Sequence, residues 1–225
     1  MDAGHYLLVS GSRLASGSVL VNVKTLSISA GKTTDEVLVM RRDTTAVAVL
    51  GSFNSENLYG YLGEAESLTK TSDITAAQPQ ERSLLSTTGR GYYILGILGA
   101  GEEPTNHALK DIIAEREVFE HWGRSLVLLF KDETSRSRYR SEDFQGLPKG
   151  TVFGIDVTGK ILDELRTSMK LRSGDLPVFV IADTFNRVVF VSQGYTIGLG
   201  RQLRSVITAL EQEQCTEPTR TCAQP

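Results

Sequence analysis

Thiols are the strongest nucleophiles a chain carries near neutral pH, and this 225-residue sequence has two, Cys215 and Cys222. Both fall in QCTEPTRTCAQP, beyond the last helix-forming pattern. A catalytic thiol needs a fixed electropositive surrounding that holds it as thiolate, and a tail supplies none. Pro218 between them favours a turn, which makes the pair a candidate small-loop disulfide. An exported protein would keep that bond and a cytosolic one would not.

Other constellations have chemical types at suggestive spacing. Gly154-Ile-Asp-Val-Thr-Gly159-Lys160-Ile161 spells most of a phosphate-cradling loop. Ile161 stands where a Ser or Thr hydroxyl must hold magnesium, and the middle residues read as strand, so a strand-to-helix turn accounts for the glycines. Arg136, Arg138, Tyr139 and Arg140 form a basic cluster, with Asp132, Glu133, Glu142 and Asp143 on both sides. Nucleic-acid binding needs an unopposed basic face, so the expectation is a solvated, self-paired loop. Glu102, Glu103 and His107 have the types for acid–base work, but acids at a helix start equally serve its dipole. His121 closes the same helix, where a cation is favoured. The three histidines do not cluster with Cys or Asp as metal ligands do. Gly198-Leu-Gly200 opens a helix without the rest of a dinucleotide fingerprint. No catalytic residue, cofactor or metal ligand is expected in this chain.

Composition narrows the classes. Apolar residues make up 40% and charged residues 23%, as in ordinary globular domains, and the net charge of −3 is far from that of a nucleic-acid binder. No apolar run reaches the length of a membrane span. Met1-Asp2-Ala3-Gly4 leads straight into the strand-like His5–Val9, with no basic segment, apolar core and cleavage site ahead of it. Either the protein is cytosolic or Met1 opens a fragment of a longer chain, and the expectation is the fragment.

Taken in order, residues 1–43 read as all-β. His5–Val9, Val19–Val23, Leu26–Ser29 and Val37–Met40 are short β-prone runs punctuated by Gly11, Ser16-Gly17 and Ala30-Gly31. That is too few strands for a complete sandwich, so the segment is expected to be part of one. Residues 44–88 are expected to be a strand, Ala46–Leu50, followed by a linker or long excursion rich in Ser, Thr, Glu and Gly. From Gly89 a second domain is expected. Tyr92–Leu98 is a strand. A helix capped by Thr105 or Asn106 runs to Trp122 with Ala108, Leu109, Ile112, Ile113 and Phe119 on one face, and Gly123 stops it. Leu126–Phe130 is continuously apolar, as a central strand is. Lys131–Gln145 is polar with a short helix, and Thr151–Val157 is a strand. Ile161, Leu162, Leu165 and Met169 line a helix. Pro177 then opens a hairpin, Val178–Ile181 and Arg187–Ser192, turning through Asp183-Thr-Phe-Asn186. After Gly194, the residues Leu199, Leu203, Val206, Ile207 and Leu210 mark a last amphipathic helix.

A proline opening a strand, then hairpin, glycine and helix, resembles the closing half of the thioredoxin fold, and residues 89–214 have its whole order βαβ(α)βαββα. The resemblance implies an α/β domain with a central mixed sheet and flanking helices, preceded by the small all-β segment and followed by a tail, 215–225. It implies that the Leu176–Pro177 peptide is cis and faces the active-site cysteines. With Leu126–Phe130 as the central strand, those cysteines would fall within Thr134–Arg138, where the chain has Ser, Thr and Arg. A hydroxyl cannot make or exchange a disulfide, and the single thiol of the peroxidase variants is missing as well. The resemblance also implies a groove beside Pro177 that takes an extended peptide or protein ligand, with Thr134, Ser135, Arg136, Leu176 and Pro177 expected to line it, without redox chemistry. The alternative is a thiol–disulfide oxidoreductase or peroxidase relative that uses a thiol outside this site.

Residues 87–112, TTGRGYYILGILGAGEEPTNHALKDI, and residues 4–21, GHYLLVSGSRLASGSVLV, resemble a narrower group. They are similar to the C-terminal region of large exported bacterial proteins with a transglutaminase-like core upstream, in which a β-sandwich precedes a thioredoxin-like domain. The resemblance implies a non-catalytic accessory region in a periplasmic or extracellular setting, with the upstream domains as partners. The Cys-His-Asp core is not in this chain, which has no cysteine before position 215.

The apolar residues of the N-terminal runs, among them Leu8, Val21, Val23 and Ile28, are each worth about 1.5–3 kcal/mol when buried, and a sheet of few strands leaves edges open. That sheet is expected to pack on the following domain or to pair with a second copy as a homodimer. Light scattering with hydrogen exchange tests this: a monomer with residues 5–40 slow to exchange and free of contact with 90–214 would overturn it.

Overall fold

The computed structural model describes residues 4–13, 19–28, 41–42, 49–70, 74–89, 91–100, 103–123 and 125–216. These form two compact units, one within Met1–Ala48 and Ala209–Pro225 and the other within Val49–Thr208.

The first unit contains a three-stranded antiparallel sheet. Strand β1 (Gly4–Arg13) pairs with β2 (Val19–Ile28) from Gly4 opposite Ile28 to Arg13 opposite Val19. Strand β3 (Arg41–Arg42) adds to β2 opposite Leu20 and Val21. The run Val19–Val23 and residues 26–28 of the run Leu26–Ser29 are thus one strand, because Lys24-Thr25 interrupts the apolar residues without breaking extended backbone, and Ser29 lies outside the described residues. Gly11 lies within β1. The run Val37–Met40 lies outside the described residues.

The second unit is built on an eight-stranded mixed sheet. It starts earlier than Gly89. Residues 46–48 of the expected strand Ala46–Leu50 lie outside the described residues. Leu50 N–H donates to Val188 O at 2.7 Å, and β4 (Gly51–Ser52) follows as an edge strand. The stretch expected to be a linker supplies β5 (Leu58–Glu64), α1 (Ala65–Leu68), β6 (Gln80–Ser83) and α2 (Leu84–Thr88). Tyr59 and Leu62 bury there, and Ser83 caps α2 by accepting the Ser86 N–H at 3.1 Å. Glycines hide this strand from a count of apolar residues, yet they permit it. A side chain on Gly154 would collide with the Tyr59 ring and Gly60 O.

Strand β7 (Tyr92–Leu98) leads to α3 (Glu103–Ala114) and α4 (Arg116–Trp122). The expected single helix is therefore two, broken at Glu115, and Thr105 lies inside the first turn instead of capping it. Gly123 ends α4 in the left-handed region, with its N–H on Phe119 O at 3.3 Å. Next come β8 (Leu126–Phe130), α5 (Glu133–Arg136), β9 (Val152–Ile155) and α6 (Lys160–Met169). The chain closes with β10 (Val178–Asp183), β11 (Arg187–Gln193) and α7 (Leu199–Thr216). Helix α7 reaches past the expected end at 214, so Cys215 belongs to its last turn. The side chain of Cys215, and all of Cys222, lie outside what the structure describes.

The sheet order is β4-β11-β10-β7-β8-β9-β5-β6. The pairs β7–β8 and β8–β9 are parallel, and β10 runs antiparallel to both β7 and β11. With its crossovers through α3–α4 and α5, the α6 connection to the β10–β11 hairpin and the closing α7, this is a thioredoxin-like α/β fold. Every residue of β8 and β10 is buried, as strands covered on both faces must be. Tyr93, Leu95 and Ile97 share one core with Val127, Leu129, Val178 and Val180 and with Ile161, Leu162 and Leu165 of α6. At the end of β8, the rings of Phe130, Tyr139, Phe144 and Phe153 pack with centroids 4.5–6.0 Å apart.

Helix α7 meets α3 at Gly200, where a Cβ would overlap the backbone carbonyl of Asp111. Helices come this close only where one side has no side chain. Gly200→Ala should destabilise the protein by about 1–3 kcal/mol, read as a lower urea midpoint with an unchanged slope.

Candidate functional site at the exit of β7

The Leu176–Pro177 peptide is cis. Pro177 precedes β10, whose first residue Val178 lies opposite Ile97 of β7. The segment facing it is therefore the exit of β7. A Cβ built on Gly99 would stand 3.1 Å from Leu176 Cβ. The chain from the exit of β7 into the first turn of α3 is Gly99-Ala-Gly-Glu-Glu-Pro-Thr-Asn106, of which residues 101 and 102 lie outside the description.

Three sets of contacts hold this junction. Tyr139, buried after α5, donates its hydroxyl to Gly99 O at 3.0 Å and Ala100 O at 3.4 Å. Gln193 clamps the loop that carries Pro177: its amide donates to Arg172 O at 2.6 Å and Asp175 O at 3.3 Å, while its oxygen accepts Arg172 N–H at 3.0 Å. Gly194 N–H donates to Pro177 O at 2.8 Å. On the far side, the His107 ring of α3 stacks on Tyr195 with centroids 5.0 Å apart. His107 also has Asp111, one turn on, 3.9 Å away. Thr105 is buried in the first turn of α3, while Tyr195 and Ile197 are 55% and 73% exposed. No side chain in this arrangement is a thiol.

The structure separates the five residues expected to share a groove into two places. Leu176 and Pro177 adjoin β7. Thr134, Ser135 and Arg136 follow β8, which is separated from β10 by β7, a gap of about 10 Å at ordinary strand spacing. Ser135 and Arg136 are buried rather than groove-lining. The Arg136 side chain, 2% exposed, is also no member of a solvated loop. Its guanidinium donates to Ile74 O, to Ala77 O at 2.6 Å and to Glu133 at 3.2 Å. A charged donor array leaves water only when carbonyls and a carboxylate replace it. Tyr92–Leu98 and Leu126–Phe130 are both apolar, and only the register with β10 decides which one faces Pro177. A usable signal was the helix that follows: after Leu98 comes a sustained 3–4–7 pattern, after Phe130 none.

The phosphate-loop-like segment has its own anion. Gly159, with φ of 71°, opens α6, and the buried Asp156 carboxylate accepts the N–H of Leu162 at 2.9 Å and of Ile161 at 3.4 Å. A side-chain carboxylate takes the place at the helix N-terminus that a phosphate would need. Glu103 lies in the first turn of α3, where an acid suits the dipole, and His121 in the last turn of α4.

No protein-family profile matches the chain, and no curated protein does. Among solved structures the chain is similar to the thioredoxin domain of a thiol-disulfide oxidoreductase from Bacteroides vulgatus, at 10% identity and a TM-score of 0.46, over 72% of this chain and 99% of that one. It is similar to StoA from Bacillus subtilis, at 12% identity and 0.44, over 68% and 97%. It is also similar to peroxiredoxin Q from Xanthomonas campestris, at 8% identity and 0.46, over 70% and 93%. The fold assignment rests on the strand order and register above.

Burial pushes the Asp156 carboxyl above the usual carboxylate range, against the opposing hydrogen bonds from Leu162 and Ile161. A carboxyl raised on folding takes up its proton more readily in the folded state. It therefore costs stability as pH rises from about 4 through the folded value, and the cost vanishes below the unfolded value. Asp156→Asn removes this dependence. The unfolding free energy of wild type minus that of the variant should rise as pH is lowered from neutral toward the unfolded carboxyl value, followed by urea unfolding at each pH.

Proposed function

We propose that the thioredoxin-like unit is a redox-inactive module with a structural or binding role, working as an accessory region of a larger exported bacterial protein. One observation carries this. With β7 instead of β8 as the strand beside Pro177, the thioredoxin resemblance expects the reacting thiols between the exit of β7 and the first turn of α3, and Gly99 to Asn106 has no cysteine. Both cysteines of the chain are at 215 and 222. Glycine, carboxylate, proline and threonine cannot form the mixed disulfide through which thiol exchange proceeds.

A binding role draws support from the surface beside the junction. Tyr195 and Ile197 leave large apolar side chains in water next to the loop of Pro177, and aromatic residues with one polar end are favoured at interfaces. The ligand this suits is an extended peptide or a protein segment. An envelope or extracellular setting, and upstream domains of the transglutaminase-like kind as partners, rest on the likeness of residues 4–21 and 87–112. No helix among the described residues is long and apolar enough to cross a membrane.

Insulin reduction with dithiothreitol as electron source tests the proposal. The wild type and a Cys215→Ser, Cys222→Ser double variant should both run at the rate without protein. Turnover well above that rate in the wild type, lost in the double variant, would overturn redox inactivity and favour an oxidoreductase or peroxidase relative that works through Cys215 or Cys222.

A further inference from the structure

A cleft of about 400 Å³ opens where the carboxyl ends of β8 and β9 meet the start of β5 and the approach to β6. It is distinct from the Pro177 junction and uses other residues. The carboxyl ends of parallel strands are where open α/β sheets form crevices for ligands, and this volume lies in the range of small-molecule sites.

Residue 60, among those that line the cleft, is glycine. A Cβ there would fall 2.8 Å from Pro79 Cβ and 3.0 Å from Val157 Cγ2, filling the space between them. Its walls hold apolar side chains in water: Leu58 is 50% exposed and Val157 65%. Ile155 continues the apolar lining. The wall at Pro79 is fixed from behind, since the buried Arg136 guanidinium holds the carbonyls of Ile74 and Ala77 just upstream.

The polar part of the lining has one sign. Glu81, Asp132 and Glu133 contribute carboxylates, and among the described residues no Lys, Arg or His lines the cleft. Lys131, 3.9 Å from Asp132, and Arg136, 3.2 Å from Glu133, offset part of this charge from outside. The Ser135 N–H holds the Asp132 carboxyl below the usual carboxylate range, so it stays charged at neutral pH. Among the described residues, no three of His, Cys, Asp and Glu converge as ligands for a metal ion. An anion would be repelled, and a hydrated inorganic cation would gain nothing from Leu58, Pro79 and Val157.

We infer that this cleft binds a small organic cation, an ammonium or guanidinium carried on an apolar or aromatic body. The body packs on Leu58, Pro79 and Val157, and the charge lies at the Glu81, Asp132 and Glu133 rim.

Titrating the full chain, methyl-labelled for NMR, with 4-phenylbutylamine, 4-phenylbutanol and 4-phenylbutyrate tests this. The amine should shift the methyl signals of Leu58, Ile155 and Val157 saturably. The alcohol should bind several-fold more weakly and the carboxylate not saturably. Glu81→Gln, a change at an exposed side chain that leaves the fold intact, should weaken amine binding about threefold and leave the alcohol unchanged. Added salt should act in the same direction. Gly60→Val should remove binding by filling the cleft. Equal binding of amine and carboxylate, shifts centred elsewhere, no saturable shift at millimolar amine, or an unchanged amine affinity in Glu81→Gln would each overturn the assignment. Insulin turnover is independent of this cleft, so either proposal can fail alone.

Discussion

The antiparallel pairing of β10 with β7 is the constraint on which the rest of the second unit depends. It inserts the returning hairpin next to a strand whose other neighbour is parallel, so one sheet holds both senses. It also sets Leu176 and Pro177 against the exit of β7, because Val178 lies opposite Ile97. The pairing is tight on one face at Gly96, where a Cβ would meet the Phe179 ring and Leu128. A larger residue there would push the strands apart, and the loop that leaves β7 would lose its place beside Pro177.

Polar groups in this unit are largely satisfied by the chain itself. Asp132 accepts the Ser135 N–H at the start of α5, Ser83 the Ser86 N–H at the start of α2, and Asp156 two N–H groups of α6. Asp183 ties the β10–β11 turn, accepting the N–H groups of Phe185 and Arg187 and pairing with the Arg187 guanidinium at 2.6 Å. Helix starts that accept a side chain from within are poor sites for an outside anion. The surface chemistry left over is apolar beside Pro177, and apolar with acid beside Gly60.

Local pattern made some of this legible. The hairpin, the buried β8 and the apolar face of α6 are read from residues close in sequence, through apolar runs, turn residues and 3–4–7 spacing, and the cis proline from the resemblance they carry. What escaped depends on partners far away. Tyr59-Gly-Tyr61 becomes a strand because β9 offers Gly154 to its ring, which no local count reveals. Arg136 reads as a surface charge, yet its carbonyl partners lie 59 and 62 residues earlier. The choice between β7 and β8 as the strand facing Pro177 is likewise a matter of register. The thiol question needed no structure, because every residue from 1 to 214 lacks cysteine.

Strands β5 and β6 precede β7 in the chain, yet they join the sheet beyond β9, with Gly60 opposite Ile155. During synthesis the ribosome releases β5 long before the strand that receives it. Until Val152–Ile155 emerges, Tyr59 and Leu62 have no permanent cover, and two strands of open backbone are available to any neighbour. Pairings of such high sequence separation form slowly, and nascent edges are where chains associate wrongly. This edge of the sheet is therefore where the growing chain most needs shielding, and a truncation after α5 would leave it bare.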